Sequence, residues 1–199
     1  MKRHWIRAAV KRRRFRRTTD SRHSYPLAAN LLIKKKQTER VWESDITFIP
    51  TSEGWLYVAA VMNVDSRKII GLSMSHKLSQ KLASAALNDA VGRQRPPAGL
   101  IHHSDRSRQY ASYAYQELLR GYGFLQSMSR SGNCYDNAYM ESFFGTLKTE
   151  LVHGERYQNR LEARLSIFEY VEVFYNRQRR HSALDYKSPE QYELLLNEA

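Results

Sequence analysis

The sequence has a single cysteine, Cys134, among 199 residues. One thiol supports neither an intramolecular disulfide nor a multi-thiolate metal site, which favours a reducing compartment. No apolar run approaches the ~20 residues that a membrane span needs, and no apolar segment follows the basic N-terminus as it does in a secretory signal. We therefore expect a cytoplasmic protein with no membrane partner, associated with the nucleoid if it binds DNA.

Acidic residues are scarce in residues 1–40, where 14 Lys and Arg accompany only two acids. Residues 41–199 carry 18 basic and 18 acidic side chains, so the net charge of +12 comes entirely from residues 1–40. Such a cluster favours a polyanionic partner, although a merely solubilising tail would have the same composition. We assign residues 1–40 as a DNA-binding arm and linker, with contacts from Arg12, Arg13, Arg14, Arg16 and Arg17.

The remaining residues, 41–199, have the composition of one globular domain. Residues 42–50, 55–64 and 67–75 are rich in β-branched and aromatic side chains and are separated by short turns, which predicts an antiparallel meander. Further strands are predicted at 100–104 and 124–128. The order of elements predicts a mixed five-stranded α/β sheet flanked by helices.

Helices are predicted between and after these strands from apolar spacing. The first runs over 79–91, with Ser79 as its N-cap and a buried face of Leu82, Ala85, Ala86, Leu87 and Ala90. The others cover 112–120, a segment around 141–148, about 160–176, and a last helix that begins with a capping box at Ser188. The buried face of the 160–176 helix is predicted to be Leu161, Leu165, Phe168, Val171 and Tyr175.

Three carboxylates stand where the predicted elements could bring them together. Asp45 lies within an apolar strand, where a charge is costly unless it is compensated, and Asp105 follows the fourth strand. If the first and fourth strands are neighbours, the two aspartates lie side by side and a helix can place Glu141 over them. Clustered carboxylates need raised pKa values or divalent cations, and all-oxygen ligation favours Mg²⁺ or Mn²⁺, as a pair of ions.

The same helix carries Lys148, seven residues after Glu141. Seven helical residues turn through 700°, about 20° short of two turns, so both side chains leave one face. By itself this pair is more typical of a solvated helix surface than of a binding site.

The spacing of the three acidic residues and several short sequence motifs resemble those of one protein family. Asp45, Asp105 and Glu141 are separated by 59 and 35 residues, and six more precede Lys148. This is similar to the D…D-x35-E-x6-K pattern of the integrase catalytic core. The local words resemble second-frame (OrfB) products of bacterial insertion-sequence transposases: Trp42…Asp45-Ile46-Thr47, His103-Ser104-Asp105-Arg106, Gln109-Tyr110, Gly132 to Ala138, Glu141-Ser142-Phe143-Phe144 and Tyr175-Asn176…Arg180 to Leu184.

This resemblance implies a ribonuclease-H-like fold and Mg²⁺-dependent DNA strand cleavage and strand transfer. Asp45, Asp105 and Glu141 match the catalytic metal ligands, Lys148 matches a contact to transposon-end DNA, and Asn137 lies in a matching word. The implied partners are transposon ends, target DNA, a first-frame transposase protein and further copies of the chain.

Two departures from the family leave an alternative open. In the motif that begins at Asp105, Ser107 stands where the family has glycine, which matters if that position needs a positive φ angle. The chain also begins within the basic arm, without the helix-turn-helix expected ahead of it. The alternative is a truncated, catalytically inactive remnant that only binds DNA. A cellular nuclease on the same fold is a third reading.

Other polar residues have two interpretations each. His102 and His103 could assist a metal or substrate, or could simply pack. Arg177, Arg179, Arg180 and His181 could contact DNA or form a solvated helix end. Glu43 and Asp65 are spare carboxylates near the proposed site.

Overall fold

The computed structural model of the chain describes residues 23–34, 40–130 and 137–198. The arm arginines predicted to bind DNA, and Cys134, lie outside these ranges.

The centre of the molecule is a mixed five-stranded sheet, as predicted. Its strands lie in the order β3-β2-β1-β4-β5. Strands β1, β2 and β3 pair antiparallel, and β4 and β5 continue the sheet in parallel. Their bounds are Val41–Thr51 (β1), Gly54–Asn63 (β2), Ile69–Ser75 (β3), Ile101–Ser104 (β4) and Leu125–Met128 (β5).

Six α-helices occur in the described residues, and they cover both faces of the sheet. Their bounds are Gln80–Gln94 (α1), Arg108–Ala111 (α2), Tyr113–Gly121 (α3), Ala138–Glu150 (α4), Arg160–Glu169 (α5) and Pro189–Glu198 (α6). Helices α1 and α3 contribute to one apolar core, and α4 and α5 to a second on the opposite face. None of these helices is long and apolar enough to cross a membrane.

The helix predicted over 160–176 differs from the prediction in its extent and its buried face. It is α-helical only to Glu169 and continues as a π-helical turn, Tyr170–Tyr175. Leu161, Leu165 and Phe168 are 65%, 63% and 51% exposed. The buried positions are Ala163, Ile167, Tyr170, Val171 and Tyr175.

Two apolar stripes with helical spacing therefore coexist in this segment. The stripe of larger side chains was the obvious choice, but the stripe containing the small Ala163 is the one that packs on the core. The π-turn adds a residue per turn, which brings Tyr170, Val171 and Tyr175 to the buried side together.

Smaller differences concern α1 and α2. In α1 the buried set includes Ala83, whereas Ala85 is exposed, contrary to the prediction. Ser79 is the N-cap residue, but its side chain makes no capping hydrogen bond. Helix α2 was not predicted, because its four residues are too short for a periodic pattern.

The capping box of α6 is confirmed, since Ser188 N–H donates to Gln191 Oε1 and Gln191 N–H donates to Ser188 Oγ.

Candidate active site

The two aspartates are placed side by side by adjacent parallel strands. Ser44 of β1 pairs with Ser104 of β4, so the next residues, Asp45 and Asp105, lie at the same level of the sheet. Asp45 is still within its strand, whereas Asp105 begins the loop after β4. The adjacency of the first and fourth strands, on which the predicted cluster depended, is confirmed.

The electrostatics of Asp45 bring the third carboxylate and the lysine into the same site. Burial raises the pKa of Asp45 well above its ordinary value, and the charges of Asp105 and Glu141 raise it further. The N–H of Ile46 and the charge of Lys148 act in the opposite direction. Carboxylates from the loop after β4 and from α4 thus act on a carboxylate of β1, and desolvation and like charge together account for its raised pKa.

Backbone amides orient both aspartates. Ile46 N–H donates to Asp45 Oδ1 at 2.8 Å, and Ser107 N–H donates to Asp105 Oδ1 at 2.9 Å. Ser107 has φ −66° and ψ 152°, an ordinary extended backbone that any residue adopts. The concern raised by the missing glycine is therefore removed, because this position has no need of a positive φ angle.

Helix α4 presents the remaining predicted residues. Glu141 is exposed in its first turn, and partial burial raises the pKa of this carboxyl. Lys148 is half-buried, so desolvation lowers the pKa of its ammonium while the charge of Asp45 raises it. Both side chains act on Asp45, so the pair is more than a solvated surface pair. Asn137, the N-cap residue, is 6% exposed, and its Oδ1 has no hydrogen-bond partner within the described chain.

The Glu43 side chain is buried close to the acidic site, whereas the sequence indicated only a spare carboxylate near it. It is only 1% exposed, and burial raises its pKa to about 7, with the charge of Glu141 acting in the same direction. The nearby backbone N–H groups of Met140 and Tyr139 and the charge of Arg67 lower that pKa, while Glu43 Oε2 has no hydrogen-bond partner among the described residues. Its position two residues before Asp45, on the same face of a strand, was the available signal.

Tyr110 is a second residue that sequence reasoning missed as part of the site, although it lies in one of the family words. Its side chain is 1% exposed and its hydroxyl has no hydrogen-bond partner among the described residues. Burial raises its pKa, and the charges of Tyr115, Asp45 and Asp105 add to this effect. The phenol therefore borders the acidic site from α2.

The two histidines beside Asp105 are packed within the sheet. His102 Nε2 lies 2.8 Å from Ser44 Oγ and 3.1 Å from the Tyr115 hydroxyl. His103 contacts two serine hydroxyls through its two ring nitrogens, Ser127 at 2.8 Å and Ser129 at 3.1 Å. Burial, aided by the charge of His103, lowers the pKa of His102 to about 3. The packing interpretation fits both residues.

The second basic cluster is engaged within the protein. Arg179 lies 2.8 Å from Glu150 in an ion pair, and Arg177 lies 3.5 Å from Glu190. Burial and the charge of Arg179 lower the pKa of His181 to about 4. These contacts favour a structural role for the cluster over DNA binding.

The carboxylate site suits a hard cation by its donor chemistry. In the described ranges no three His, Cys, Asp or Glu side chains are gathered closely enough to form a ready metal cluster. Asp45, Asp105 and Glu141 nevertheless offer only oxygen donors, which Mg²⁺ and Mn²⁺ prefer. The mutual effect of these carboxylates on the pKa of Asp45 is the kind of repulsion that a cation relieves.

Comparison with solved structures identifies the class of fold. The HTLV-2 integrase catalytic core domain, solved in complex with magnesium in a trimeric form, superposes with a TM-score of 0.58 over 77% of this chain and 95% of that one, at 14% identity. The chain thus has the ribonuclease-H-like fold of retroviral integrase cores.

Sequence comparison identifies the family. The integrase core domain model matches residues 35–134, and a second integrase core domain model matches residues 141–194. A 31 kDa protein of insertion element IS600 from Shigella sonnei is 49% identical over 89% of this chain and 66% of its own length. The transposase of insertion sequence IS904 from Lactococcus lactis is 48% identical over 85% and 67%.

The chain therefore belongs to the integrase core family, and its relatives include transposases of insertion sequences. It spans about two thirds of the length of these relatives.

Proposed function

We propose that this chain catalyses Mg²⁺-dependent cleavage and strand transfer of transposon-end DNA. The observation that carries the proposal is that adjacent parallel strands place Asp45 beside Asp105, with Glu141 of α4 close enough to raise the pKa of Asp45. It joins carboxylates from three separate elements in one electrostatic site. Family membership and the magnesium complex of the HTLV-2 integrase core support the same chemistry.

In this mechanism Asp45, Asp105 and Glu141 would hold the divalent cations, two of them in the full complex. Bound cations of this kind activate the attacking oxygen and stabilise the leaving 3′-oxygen in an in-line displacement at phosphorus. The N–H groups of Ile46 and Ser107 keep the two aspartates oriented. Lys148 adds a positive charge on the same face for a DNA phosphate, and Asn137 contacts the end DNA beside it.

The proposed partners follow from the reaction. Transposon ends and target DNA are the substrates, and the arm arginines contribute phosphate contacts. Joining two ends needs more than one copy of the chain, and the HTLV-2 core was solved as a trimer. We also propose that the chain acts with a first-frame transposase protein and that it does so at the nucleoid.

Strand transfer of a labelled transposon-end oligonucleotide tests the activity. The wild-type protein with Mg²⁺ should produce joined product, whereas Asp105→Asn and Glu141→Gln should lose it because each removes one anionic ligand. Asp65→Asn is a matched control that removes a carboxylate from the β2–β3 turn. Equal activity of the wild type and the two site variants, with DNA binding retained, would instead support the inactive DNA-binding remnant.

A further inference from the structure

Residues 23–34, which link the basic N-terminal segment to β1, pack against the domain. Tyr25 and Ala28 are partly buried against the apolar core to which α1 and α3 contribute. The ring of Tyr25 meets the ring of Tyr113 in α3 edge-on, with their centroids 5.4 Å apart, a favourable geometry for two aromatic rings. We call residues 23–34 the strap.

The strap also covers part of β5, the strand at one edge of the sheet. Met128 N–H donates to Ala29 O at 3.4 Å, and Leu31 N–H donates to Ser127 Oγ at 2.9 Å. Edge strands are commonly covered in this way, because their unpaired N–H and C=O groups can pair with another chain. Strand β5 runs parallel to β4, so the covered end lies beside the end of β4, which Asp105 follows.

His23 fixes the first described residue of the strap to the loop that contains Asp105. His23 Nε2 lies 2.9 Å from Arg106 O, and Tyr25 N–H lies 3.3 Å from His23 Nδ1. A carbonyl only accepts and an amide N–H only donates, so Nε2 carries the proton and Nδ1 accepts. Because Arg106 directly follows Asp105, the strap begins at the rim of the acidic site.

The position of His23 limits where the arm arginines can reach. A fully extended chain spans at most ~3.6 Å per residue. Arg17 lies six residues before His23 and Arg12 eleven, which limits their reach from it to about 22 Å and about 40 Å. Without the strap contacts the next anchor would be Arg40, whose carbonyl accepts from Ile101 N–H at 3.1 Å. Arg17 could then reach about 80 Å from that anchor.

We propose that the strap anchors the arm arginines at the rim of the acidic site, so that they bind the DNA whose end lies in that site. Their phosphate contacts fall within about a dozen base pairs of this end, since ~40 Å covers about twelve steps of 3.4 Å. His23 and Leu31 are positioning residues, which hold the start of the arm. The inference rests on the proposed function for the DNA end at the site, but DNA binding measures the anchoring separately.

The anchoring should raise DNA affinity as well as fix the contacts. The effective concentration of a tethered group falls roughly as the −3/2 power of the tether length. Arg17 lies six residues from His23 and 23 residues from Arg40. Loss of the strap contacts should therefore lower the effective concentration of the arm at the DNA by about sevenfold.

The experiment uses the full chain and the double variant His23→Leu/Leu31→Pro. This variant removes the imidazole that donates to Arg106 O and the N–H that donates to Ser127 Oγ, and it keeps every Lys and Arg of the arm. His23→Leu alone serves if the double variant does not fold. His76→Leu is the matched control, because His76 is exposed after β3.

The probe is a labelled duplex of about 40 base pairs, ~140 Å long, that terminates in a transposon end. In the wild type, the hydroxyl-radical protection that is lost on deleting residues 1–17 should lie within about a dozen base pairs of this end. In the double variant, affinity should fall about sevenfold and this protection should spread further along the duplex. The salt slope of binding should stay unchanged, since the arm keeps its charges. His76→Leu should match the wild type throughout.

Hydrogen exchange of the Met128 amide reports whether the strap has been released, because an open hydrogen bond exchanges faster. Faster exchange in the double variant, together with the loss of affinity and the wider protection, would support the anchoring. Faster exchange with the affinity and footprint of the wild type would overturn it. Unchanged exchange would overturn it too, since the two contacts would then not hold the strap.

The outcomes for the two proposals are separate. A wild-type protein that gives the expected footprint but no joined product would overturn the proposed function and leave the anchoring supported. A wild-type footprint in which the protection due to residues 1–17 lies more than about a dozen base pairs from the end would overturn the anchoring, whatever the activity.

Discussion

Single buried polar groups define much of the chemistry around the acidic site. His102, Tyr115 and Ser44 form a hydrogen-bonded set beneath the two aspartates, and each is nearly inaccessible to water. Such groups stabilise a fold only when their partners are in place. They also couple stability to pH wherever burial changes their protonation.

His102 should make the protein less stable in mild acid. Its pKa is lowered to about 3, so between about pH 6.5 and 3 the unfolded chain binds a proton that the folded chain refuses. This group alone should lower stability as pH falls, by up to about 1.4 kcal/mol per pH unit, whereas the raised pKa values of Glu43 and Asp45 act in the opposite sense. Urea unfolding between pH 7 and 5 measures the slope. His102→Gln should lose less stability, or gain more, than the wild type as the pH falls from 7 to 5, and the exposed His153→Gln should follow the wild type; equal slopes in all three proteins would contradict this account.

At the scale of the element, strands were easier to predict than helix faces. The meander of β1 to β3 could be read from β-branched and aromatic runs separated by short turns, and its strand bounds agree within two residues. The place of Asp105 followed from the end of β4. A near-continuous apolar run such as that of β2 leaves few alternatives to a strand buried on both faces.

The α5 segment shows why the rest could not be predicted. Two stripes satisfied the same helical period, and only tertiary packing on Ile167 and Ala163 selected one. The π-turn was also hidden, because its stabilising contact is distant in sequence. Asn176 exchanges two 2.9 Å hydrogen bonds with the backbone of Ile69 in β3. The effect of the first turn of α4 on the pKa of Glu43 was missed for the same reason.

Substitutions in α5 should separate the two stripes. Ile167→Ala removes a fully buried side chain and should lower the free energy of unfolding by about 2–5 kcal/mol. Leu165→Ala, on the 63% exposed position, should change it by roughly 0.5 kcal/mol or less. Chemical denaturation of both variants measures the difference. A larger loss for Leu165→Ala would mean that the exposed stripe is covered in solution.

At the scale of the whole molecule, the asymmetry of charge is the dominant feature. The excess of +12 is confined to residues 1–40, while residues 41–199 are balanced. The acidic site therefore lies in a part of the chain with no net charge, and the basic arm would supply the attraction for DNA. The boundary at residue 40 and the arm contacts stay predictions.

Deleting residues 1–17 should weaken the salt dependence of DNA binding. This segment carries nine Lys and Arg, and the slope of log K against log salt becomes shallower by about 0.9 for each DNA phosphate that the protein no longer neutralises. Binding titrations at several salt concentrations measure the slope. Lys77→Gln/Lys81→Gln, a charge-removing pair at exposed positions, should leave it unchanged. A wild-type slope after the deletion would show that the arm does not touch the DNA backbone.

The central claim is that Asp45, Asp105 and Glu141 form a cation site, and thermal unfolding with and without Mg²⁺ tests it most directly. Without a cation, the raised pKa of Asp45 means that burial and like charge destabilise the folded protein at neutral pH. Asp45→Asn keeps an acceptor for Ile46 N–H and removes that penalty. It should therefore melt a few degrees higher than the wild type, since about 1 kcal/mol corresponds to ~2–4 °C in a domain of this size.

Excess Mg²⁺ should reverse this order, because a cation that binds only the folded wild type raises its melting temperature by mass action. The account predicts that the wild type melts at a lower temperature than Asp45→Asn without Mg²⁺ and at a higher temperature with excess Mg²⁺. Equal responses of the wild type and Asp45→Asn to Mg²⁺, or a lower melting temperature for Asp45→Asn without it, would contradict the proposed site.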